Sequence, residues 1–368
     1  MRDPRQILGD FPLMNHLERQ KIVEEWNATD SPWPRDRCMH EFFEARVVQH
    51  PERAALVCGE ETVSYQRLHQ DVIRLCEVLI DSGVAPDTPV ALFLEPGVST
   101  VVAIYGTLRA GGFYIPLDSA WPPERVRDVL EDASPVVSLT ETHLQGSLSA
   151  FGSRVLCLDD LPEPSKTRSF ERPVPSSAVY CLYTSGTTGT PKGAVVEHQG
   201  LVKRIQWLQD QCALGGEDRV LQKTPCGFGI SEWEFFWALS YGATLVIADP
   251  GGSKDPHYLE ELMRKERVTV GFFVPSMLAV LLDLLEVNGR ALALPLRWMF
   301  TCGEALSPDV CMRFFACFQA RLMNLYGPTE ADMTWWECPA LGEGARPVKV
   351  PIGKAIANSK ASLLDARR

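Results

Sequence analysis

The chain has 368 residues, 45% hydrophobic and 23% charged, a composition typical of globular proteins. This length exceeds one ordinary core and indicates about two domains or subdomains. A formal net charge of −11 argues against nucleic acid or an anionic membrane as the main partner, so an anionic ligand would have to be captured by local features.

The 11 cysteines are scattered and form no Cys-x-x-Cys pair, so neither a disulfide framework nor a zinc site is predicted. Free buried thiols suit a reducing compartment. The first residues lack the apolar core of a signal peptide, and no apolar run reaches the roughly 18 residues that a membrane span needs. We therefore expect a cytoplasmic protein without a membrane partner.

Residues 1–36 are polar, contain several prolines and show one short helical pattern, which indicates a lead-in segment or an ordinary frayed terminus. From residue 37 onward, apolar strand patterns alternate with amphipathic helical patterns. The predicted helices cover 41–50, 65–82 and 99–109, and the predicted strands cover 54–57, 61–64, 90–94 and 155–158. Such alternation favours a parallel sheet with helices on its faces.

A second alternating series follows residue 176 and predicts another doubly wound unit. Its predicted strands cover 178–182, 194–196, 220–222, 244–248, 269–274, 298–302 and 322–325. Its predicted helices cover 200–212, 232–239, 255–266, 275–288 and 307–318. In open parallel sheets ligands bind at the carboxyl ends of the strands, so we expect the site there.

Residues 183–193 combine three glycines, several hydroxyl side chains and Lys192 between two apolar runs. Glycine lets backbone N–H groups surround an anion, and the lysine adds a positive charge. The pattern is not that of Walker A, because Lys192 follows a proline. A polyphosphate-binding loop is favoured over a solvated hairpin, with the candidate ligands Thr184, Ser185, Gly186, Thr187, Thr188, Gly189 and Lys192.

Residues 324–330, Asn-Leu-Tyr-Gly-Pro-Thr-Glu, follow the last predicted strand of this series. Tyr326 offers a ring face to a base, Asn324 offers an amide to the base edge, and Glu330 offers a hard oxygen ligand to Mg²⁺. An ordinary proline turn is the alternative interpretation. Beside the glycine-rich loop, a nucleotide site is favoured.

The string at 183–193 closely resembles the phosphate-binding signature of adenylate-forming enzymes, the superfamily of acyl-CoA ligases, luciferases and adenylation domains of nonribosomal peptide synthetases. The heptapeptide at 324–330 and the string Cys302-Gly303-Glu304-Ala305-Leu306 are further matches. The strings at 222–225, 233–237 and 350–358 resemble the peptide-synthetase branch. The resemblance runs from about residue 15 to 365.

This resemblance implies two doubly wound, mostly parallel α/β subdomains at 37–175 and 176–345, and the start of a truncated small β-barrel subdomain at 346–368. It implies attack of a substrate carboxylate on the α-phosphate of ATP, with Mg²⁺, and transfer of the acyl group to phosphopantetheine on a carrier protein. Lys192, Glu330 and Thr184 take the catalytic roles, the last two at the metal. Gly303, Glu304, Asn324, Tyr326, Gly327 and Thr329 complete the nucleotide site.

One departure concerns the substrate. Where the family has Phe-Asp-x-Ser, with the aspartate pairing the α-ammonium of an amino acid, this chain has Phe228-Gly229-Ile230-Ser231. A buried ammonium without a counter-charge costs several kcal/mol. We expect an acid without a free α-amine in a pocket that is apolar throughout. The resemblance implies that its lining is Phe228, Gly229, Ile230, Trp233, Phe272, Phe300, Cys302, Leu325, Met333 and Thr334.

An α-keto acid is the first candidate substrate, and an aryl acid such as anthranilate or benzoate is the second. A third interpretation is that Glu232, one turn beyond Gly229, replaces the lost charge, although a structural glutamate is favoured. The family continues past the position of Arg368 into a C-terminal subdomain with a catalytic lysine. We therefore expect this chain alone to be weak or inactive in catalysis.

Other interpretations stay open at this point. An acyl-CoA ligase is the alternative enzyme, and a degenerate, non-catalytic adenylation module is the alternative from another class. An MbtH-like protein is a further candidate partner, and a monomer fits the resemblance.

Overall fold

The computed structural model of the protein describes residues 14–148, 154–164, 171–184, 191–287, 294–331, 333–339 and 349–362. The helices are α1 (His16–Val23), α2 (Met39–Gln49), α3 (Tyr65–Asp81), α4 (Val98–Arg109), α5 (Pro123–Ala133), α6 (His198–Cys212), α7 (Ala238–Ser240), α8 (Pro256–Lys265), α9 (Pro275–Val287) and α10 (Pro308–Cys317). A π-helical segment, Trp233–Trp237, leads directly into α7.

The strands are β1 (Ala54–Cys58), β2 (Glu61–Ser64), β3 (Pro89–Phe93), β4 (Phe113–Leu117), β5 (Val137–Thr140), β6 (Arg154–Cys157), β7 (Ala178–Thr184), β8 (Lys192–Glu197), β9 (Arg219–Gln222), β10 (Thr244–Ile247), β11 (Val270–Phe273), β12 (Trp298–Thr301), β13 (Arg321–Tyr326), β14 (Thr334–Cys338) and β15 (Lys354–Ala355). They form two sheets.

The smaller sheet has the order β6-β5-β3-β4-β7-β8. Its pairs are parallel except for the last, in which β7 and β8 form an antiparallel hairpin. The hairpin register places Thr184 opposite Lys192. The end of the hairpin is therefore the place where the glycine-rich sequence leaves and re-enters the sheet.

The larger sheet has the order β15-β14-β13-β12-β11-β9-β10-β1-β2. The strands from β13 to β1 run parallel, and β2, β14 and β15 pair antiparallel at the two edges. The predicted fold class, two mostly parallel α/β units, is confirmed. The sheets of the described residues do not close into a barrel.

The strand pairing crosses the predicted boundary at residue 175. β1 and β2 come from the first predicted unit but lie in the larger sheet, where β1 pairs with β10 and β2 pairs with β1. In contrast, β7 and β8 come from the second predicted unit and join the smaller sheet. The three central residues of β1, Ala55, Leu56 and Val57, are all buried, since a neighbour covers each face. The division into 37–175 and 176–345 as folding units stays a prediction.

A shared core joins the two sheets. Tyr105 of α4 packs against Phe43 of α2 and against Phe236 of the π-helical segment, with ring centroids 4.9 and 5.6 Å apart. The hydroxyl of Tyr65 donates to the carbonyl of Ala243 at 2.7 Å. These contacts fix the sheets relative to each other, because aromatic packing and a satisfied buried hydroxyl both depend on exact placement.

None of the helices in the described ranges combines the length and the apolar character that crossing a bilayer requires.

Candidate functional site

A cavity of about 400 Å³ opens at the carboxyl ends of the parallel strands of the larger sheet. The segments that follow β9, β12 and β13 contribute Lys223, Cys302 and Gly327, while β11 contributes Phe272 near its end. Parallel strands bring their carboxyl ends to one edge, where the connecting loops leave room for a ligand. The cavity lies where the strand pattern predicted a site.

The three predicted catalytic residues meet beside this cavity. Thr184 ends β7, Lys192 begins β8 directly opposite it, and Glu330 follows β13 of the other sheet. The Thr184 hydroxyl Oγ1 lies 3.4 Å from Glu330 Oε1. The predicted loop ligands Ser185, Gly186, Thr187, Thr188 and Gly189 lie outside the described residues. The Thr184 hydroxyl and the Glu330 carboxylate thus meet where the two sheets meet, with Lys192 opposite Thr184 in the hairpin.

The Thr184 and Glu330 pair suits Mg²⁺ by the chemistry of its donors. Both side chains offer hard oxygens, and Mg²⁺ is usually held by one or two carboxylates together with substrate phosphates. Within the described part of the chain, the one cluster of three possible metal ligands is Glu95, Glu141 and His143, none of which lines the cavity. Glu330 belongs to no such cluster among the described residues.

The predicted nucleotide residues divide into two groups. Gly303, Gly327 and Thr329 line the cavity, and Tyr326, next to Gly327, is 54% exposed. Gly303 has a φ of 89°, a conformation that favours glycine over residues with a side chain. These residues leave backbone and an aromatic face accessible to a ligand.

The side chains of Asn324 and Glu304 are engaged elsewhere. The amide of Asn324 donates to the Pro351 carbonyl at 3.0 Å, and its oxygen accepts from the Thr301 hydroxyl at 3.3 Å. Glu304 accepts from the backbone N–H and the hydroxyl of Ser276 at 2.9 and 3.0 Å. Both therefore brace the loops around the site, and their base and ribose contacts stay predictions.

Six of the predicted pocket residues line the cavity, namely Phe228, Gly229, Ile230, Phe272, Cys302 and Met333. Trp233, Phe300 and Leu325 are buried behind this wall. Thr334 donates to the Ile352 carbonyl at 2.7 Å and does not line the cavity. The rings of Phe272 and Phe300 stack with centroids 4.7 Å apart, so Phe300 supports the wall from outside the cavity.

The position of Gly229 has free space around it. A Cβ built there would meet only Leu182, at an ordinary contact distance of 3.8 Å. A Cβ at this position would thus fit without a clash.

The expectation that the pocket is apolar throughout is wrong. Tyr180, Arg204, Lys223 and Glu232 also line the cavity. Arg204 Nη2 donates to Glu232 Oε2 at 2.8 Å, and the side chains are 8% and 3% exposed respectively. The wall of the cavity therefore contains one buried positive charge and one buried negative charge.

A signal for Arg204 was present in the sequence but was overlooked. Leu201, Arg204 and Leu208 lie on one face of α6 at helical spacing, and all three are buried. A charged residue on an apolar helix face is almost always paired when it is buried. Arg204 therefore required an acidic partner, and Glu232 is that partner.

A second buried polar group lies under the segment that follows β9. Glu234 accepts from the backbone N–H and the hydroxyl of Thr224 at 3.0 and 2.7 Å. Burial raises the pKa of Glu234 to about 7 and lowers that of Lys223, whose ammonium lies 4.5 Å from the ring centre of Phe273. These bonds hold the rim of the cavity in place.

Comparisons with known proteins agree with this geometry. The family model described as AMP-binding enzyme matches residues 43–368. Vanchrobactin synthetase VabF of Vibrio anguillarum is 38% identical over 368 residues, covering 97% of this chain and 13% of the relative. Tyrocidine synthase 3 of Brevibacillus parabrevis is 34% identical over 368 residues, covering 99% of this chain and 6% of the relative. The chain thus spans a small part of these relatives.

Zwittermicin A synthase ZmaJ of Bacillus cereus is 37% identical over 342 residues, which cover 89% of this chain and 64% of that protein. Among solved structures, the nonribosomal peptide synthetase FmoA3 superposes with a TM-score of 0.84 at 30% identity, covering 92% of this chain and 36% of that one. Its AMPPNP-bound form superposes with a TM-score of 0.83. The predicted resemblance to peptide-synthetase adenylation modules is confirmed.

Proposed function

The chain belongs to the AMP-binding enzyme family, and from this premise we propose that it uses ATP to activate a carboxylic acid as an acyl-adenylate in nonribosomal peptide or depsipeptide synthesis. The observation that carries the proposal is the contact of Thr184 with Glu330, which lies between the cavity residues Thr329 and Ala331, with Lys192 opposite Thr184 in the hairpin. This arrangement puts anion-binding and metal-binding groups next to a space for the acyl group.

The proposed roles follow from charge. The exposed ammonium of Lys192 neutralises phosphate oxygens, and Glu330 with Thr184 would hold Mg²⁺, which supplies further neutralisation of the phosphates when bound. The cavity wall orients the substrate carboxylate toward the α-phosphate. Positioning and electrostatics account for most catalysis of this kind, because the attacking carboxylate is itself the nucleophile.

The proposed substrate is an acid without a free α-amine, with an α-keto acid first. Among the described residues that line the cavity, Glu232 is the only carboxylate, and it is already paired with Arg204. An α-ammonium placed beside Gly229 would lose its hydration without gaining a counter-charge. A keto group is neutral and avoids this cost.

An aryl acid such as anthranilate or benzoate is the second candidate, favoured by the Phe272 wall. Phe272 lines the cavity and stacks on Phe300 with an interplanar angle of 14°, so an aromatic ring forms part of the wall. A planar ring packs well against such a surface. The two substrate classes differ in shape and can be compared directly.

The remaining partners are proposed from the family. The acyl group would pass to the phosphopantetheine thiol of a carrier protein, and a C-terminal subdomain would supply the catalytic lysine. An MbtH-like protein is a candidate activator. An acyl-CoA ligase would use the thiol of CoA instead, and a degenerate module would bind neither ATP nor an acid.

ATP–pyrophosphate exchange tests the proposal, with the chain assayed alone and joined to the C-terminal subdomain. The acids are leucine, its 2-oxo and 2-hydroxy analogues, phenylpyruvate, anthranilate and benzoate. Exchange with an oxo or aryl acid and not with leucine is expected. Preference for leucine would overturn the substrate class, and absence of exchange together with absence of ATP binding would favour the degenerate module.

Gly229→Asp provides the matched test of the pocket, with Gly229→Asn as the control of equal size. The aspartate adds a carboxylate where a Cβ has room, so exchange with leucine should rise relative to the oxo acid. The asparagine fills the same space without the charge and should not produce this gain. Equal behaviour of the two variants would contradict the role given to position 229.

A further inference from the structure

The ion pair of Arg204 and Glu232 forms part of the cavity wall itself. The guanidinium Nη2 lies 2.8 Å from Glu232 Oε2, and both side chains are almost inaccessible to solvent. Buried ions are costly to desolvate, and a partner offsets that cost only with good geometry and further hydrogen bonds. The pair therefore depends on the groups that surround it.

Both carboxylate oxygens of Glu232 accept hydrogen bonds. Oε2 accepts from Arg204 and from the Tyr180 hydroxyl, and Oε1 accepts from the Trp233 indole N–H at 2.8 Å. Arg204 Nη2 also donates to the Tyr180 hydroxyl at 3.1 Å. Burial, and then the nearby Glu232 charge, raise the pKa of Tyr180, so its phenol stays protonated and donates. The carboxylate is thereby neutralised within the protein.

Glu232 also lies close to the position that decides amine recognition. Its backbone N–H donates to the Gly229 carbonyl at 3.2 Å, so the two residues are one helical turn apart, and both line the cavity. A carboxylate one turn from Gly229 is chemically able to receive an ammonium. What opposes this is the guanidinium, which holds the carboxylate and adds a positive charge to the same wall.

We propose that Arg204 is a specificity-determining residue that excludes α-amino acids, because it neutralises Glu232 and repels an incoming ammonium. The inference rests on the proposed function and deepens it. Selectivity then has two parts, a missing attraction at Gly229 and a repulsive element at Arg204. Binding sites commonly discriminate against an unwanted ligand in two ways, by lacking a favourable contact to it and by having a group that repels it.

Arg204→Met tests this by removing the guanidinium while keeping a long apolar side chain. The ligands are leucyl-sulfamoyl adenosine and its 2-oxo analogue, and calorimetry gives the ratio of their dissociation constants for the chain as it exists. The freed Glu232 can pair the ammonium, so the ratio should shift toward the leucyl ligand by about tenfold or more, as one hydrogen bond to a charged group allows.

Two further variants isolate the charge. Arg204→Lys keeps a positive charge beside Glu232, so its ratio should stay close to that of the natural chain. Arg204→Met combined with Glu232→Gln removes the carboxylate that the first change freed, so the gain should disappear. This pattern separates a charge effect from a loosened pocket, which would alter the single and the double variant alike.

The outcomes are distinct. Binding of neither ligand by the natural chain would count against the proposed function, whereas oxo-selective binding with an unchanged ratio in Arg204→Met would overturn the inference alone. Should Arg204→Met fail to fold, Glu232→Gln leaves the guanidinium without its counter-charge. An oxo ligand whose acyl chain ends in a second carboxylate should then bind about tenfold tighter, and no such gain would overturn the proposal.

Discussion

The hydroxyl Oγ1 of Thr184 lies 3.4 Å from Oε1 of Glu330, although 146 positions separate the two residues in the chain. Thr184 ends a strand of the smaller sheet, and Glu330 follows a strand of the larger one. The shared core between the sheets fixes this distance. A nucleotide site assembled from two sheets depends on their relative position as well as on its own residues.

Glu330→Gln should abolish most of the Mg²⁺ dependence while leaving the fold intact. The amide keeps the size of the side chain and removes the negative charge that would hold the metal. The ATP–pyrophosphate exchange rate should fall roughly a hundredfold, the scale of losing one electrostatic group in an active site. Exchange and AMPPNP binding measured over a Mg²⁺ titration provide the check.

Glu217→Gln is the matched control for this change. Glu217 is also exposed, but it precedes β9 and so lies at the amino end of that strand, away from the cavity at the carboxyl ends. Both variants should keep the free energy of unfolding within about 0.5 kcal/mol, as is usual for exposed positions. A Glu330→Gln protein with the Mg²⁺ profile of the control would remove the metal role from Glu330.

The stability of the protein should decrease as pH falls below about 6.5, because of two buried histidines. Burial lowers the pKa of His40 to about 3 and that of His198 to about 4. Below pH 6.5 these two histidines become protonated in the unfolded chain but stay neutral in the folded chain. Each histidine therefore reduces the free energy of unfolding by up to about 1.4 kcal/mol for each pH unit of decrease. Urea unfolding at several pH values measures the slope.

Glu234 acts with the opposite sign. Its pKa is raised to about 7 by burial, so the folded chain holds a proton that the unfolded chain releases, and stability falls as pH rises from about 4.5 to 7. Between about pH 5 and 6.5 the free energy of unfolding should therefore rise less steeply with pH in His40→Phe. In Glu234→Gln it should rise more steeply. His143→Gln, at an exposed histidine, is the control. An unchanged slope in His40→Phe would contradict the assignment.

Phe272 and Phe300 should affect stability alike and selectivity differently. Both rings are fully buried and stack at 4.7 Å, but only Phe272 lines the cavity. A change of either one to leucine should cost roughly 1–3 kcal/mol through lost packing. The ratio of exchange rates for benzoate and an aliphatic oxo acid should change severalfold in Phe272→Leu and much less in Phe300→Leu. Equal changes would mean that Phe300 also contacts the substrate.

The sequence predicted the elements whose periodicity was long and clearly bounded. α3 follows Ser64, whose side chain caps it, and its apolar residues recur at helical spacing, so its prediction over 65–82 was confirmed. The hairpin of β7 and β8 was likewise predicted from two apolar runs around a polar turn. Local signals were sufficient in both cases.

Other elements depended on distant partners or were overlooked. β14 has a mixed sequence with both faces partly exposed, and its strand conformation comes from antiparallel pairing with β13. α5 carried a visible signal that was not recognised, Pro123 at its start with Val126, Val129 and Leu130 on one face. The pairing of Arg204 with Glu232 joins α6 to the helical residue directly before the π-helical segment. No local pattern specifies this pairing.

The lead-in segment is bonded to the other end of the described chain, and we predict that Asn27 holds this contact. Its amide donates to the Ala361 carbonyl at 3.0 Å, and its oxygen accepts from the Ala361 N–H at 2.8 Å. Thr29 adds a hydroxyl bond to the Ser359 carbonyl at 2.7 Å. Paired side-chain and backbone bonds of this kind fix register, because both a donor and an acceptor must match.

Asn27→Ala should accelerate amide hydrogen exchange across 356–361 by about tenfold, since losing its two hydrogen bonds to Ala361 at an exposed site costs roughly 1–2 kcal/mol locally. The global unfolding midpoint should change little, because most of the core lies elsewhere. Asn27→Asp keeps the acceptor and loses the donor, so its effect should be intermediate. Asn15→Ala, which removes the cap of α1, is the control and should leave 356–361 unaffected. Identical exchange in all four proteins would show that Thr29 and its neighbours hold this contact without Asn27.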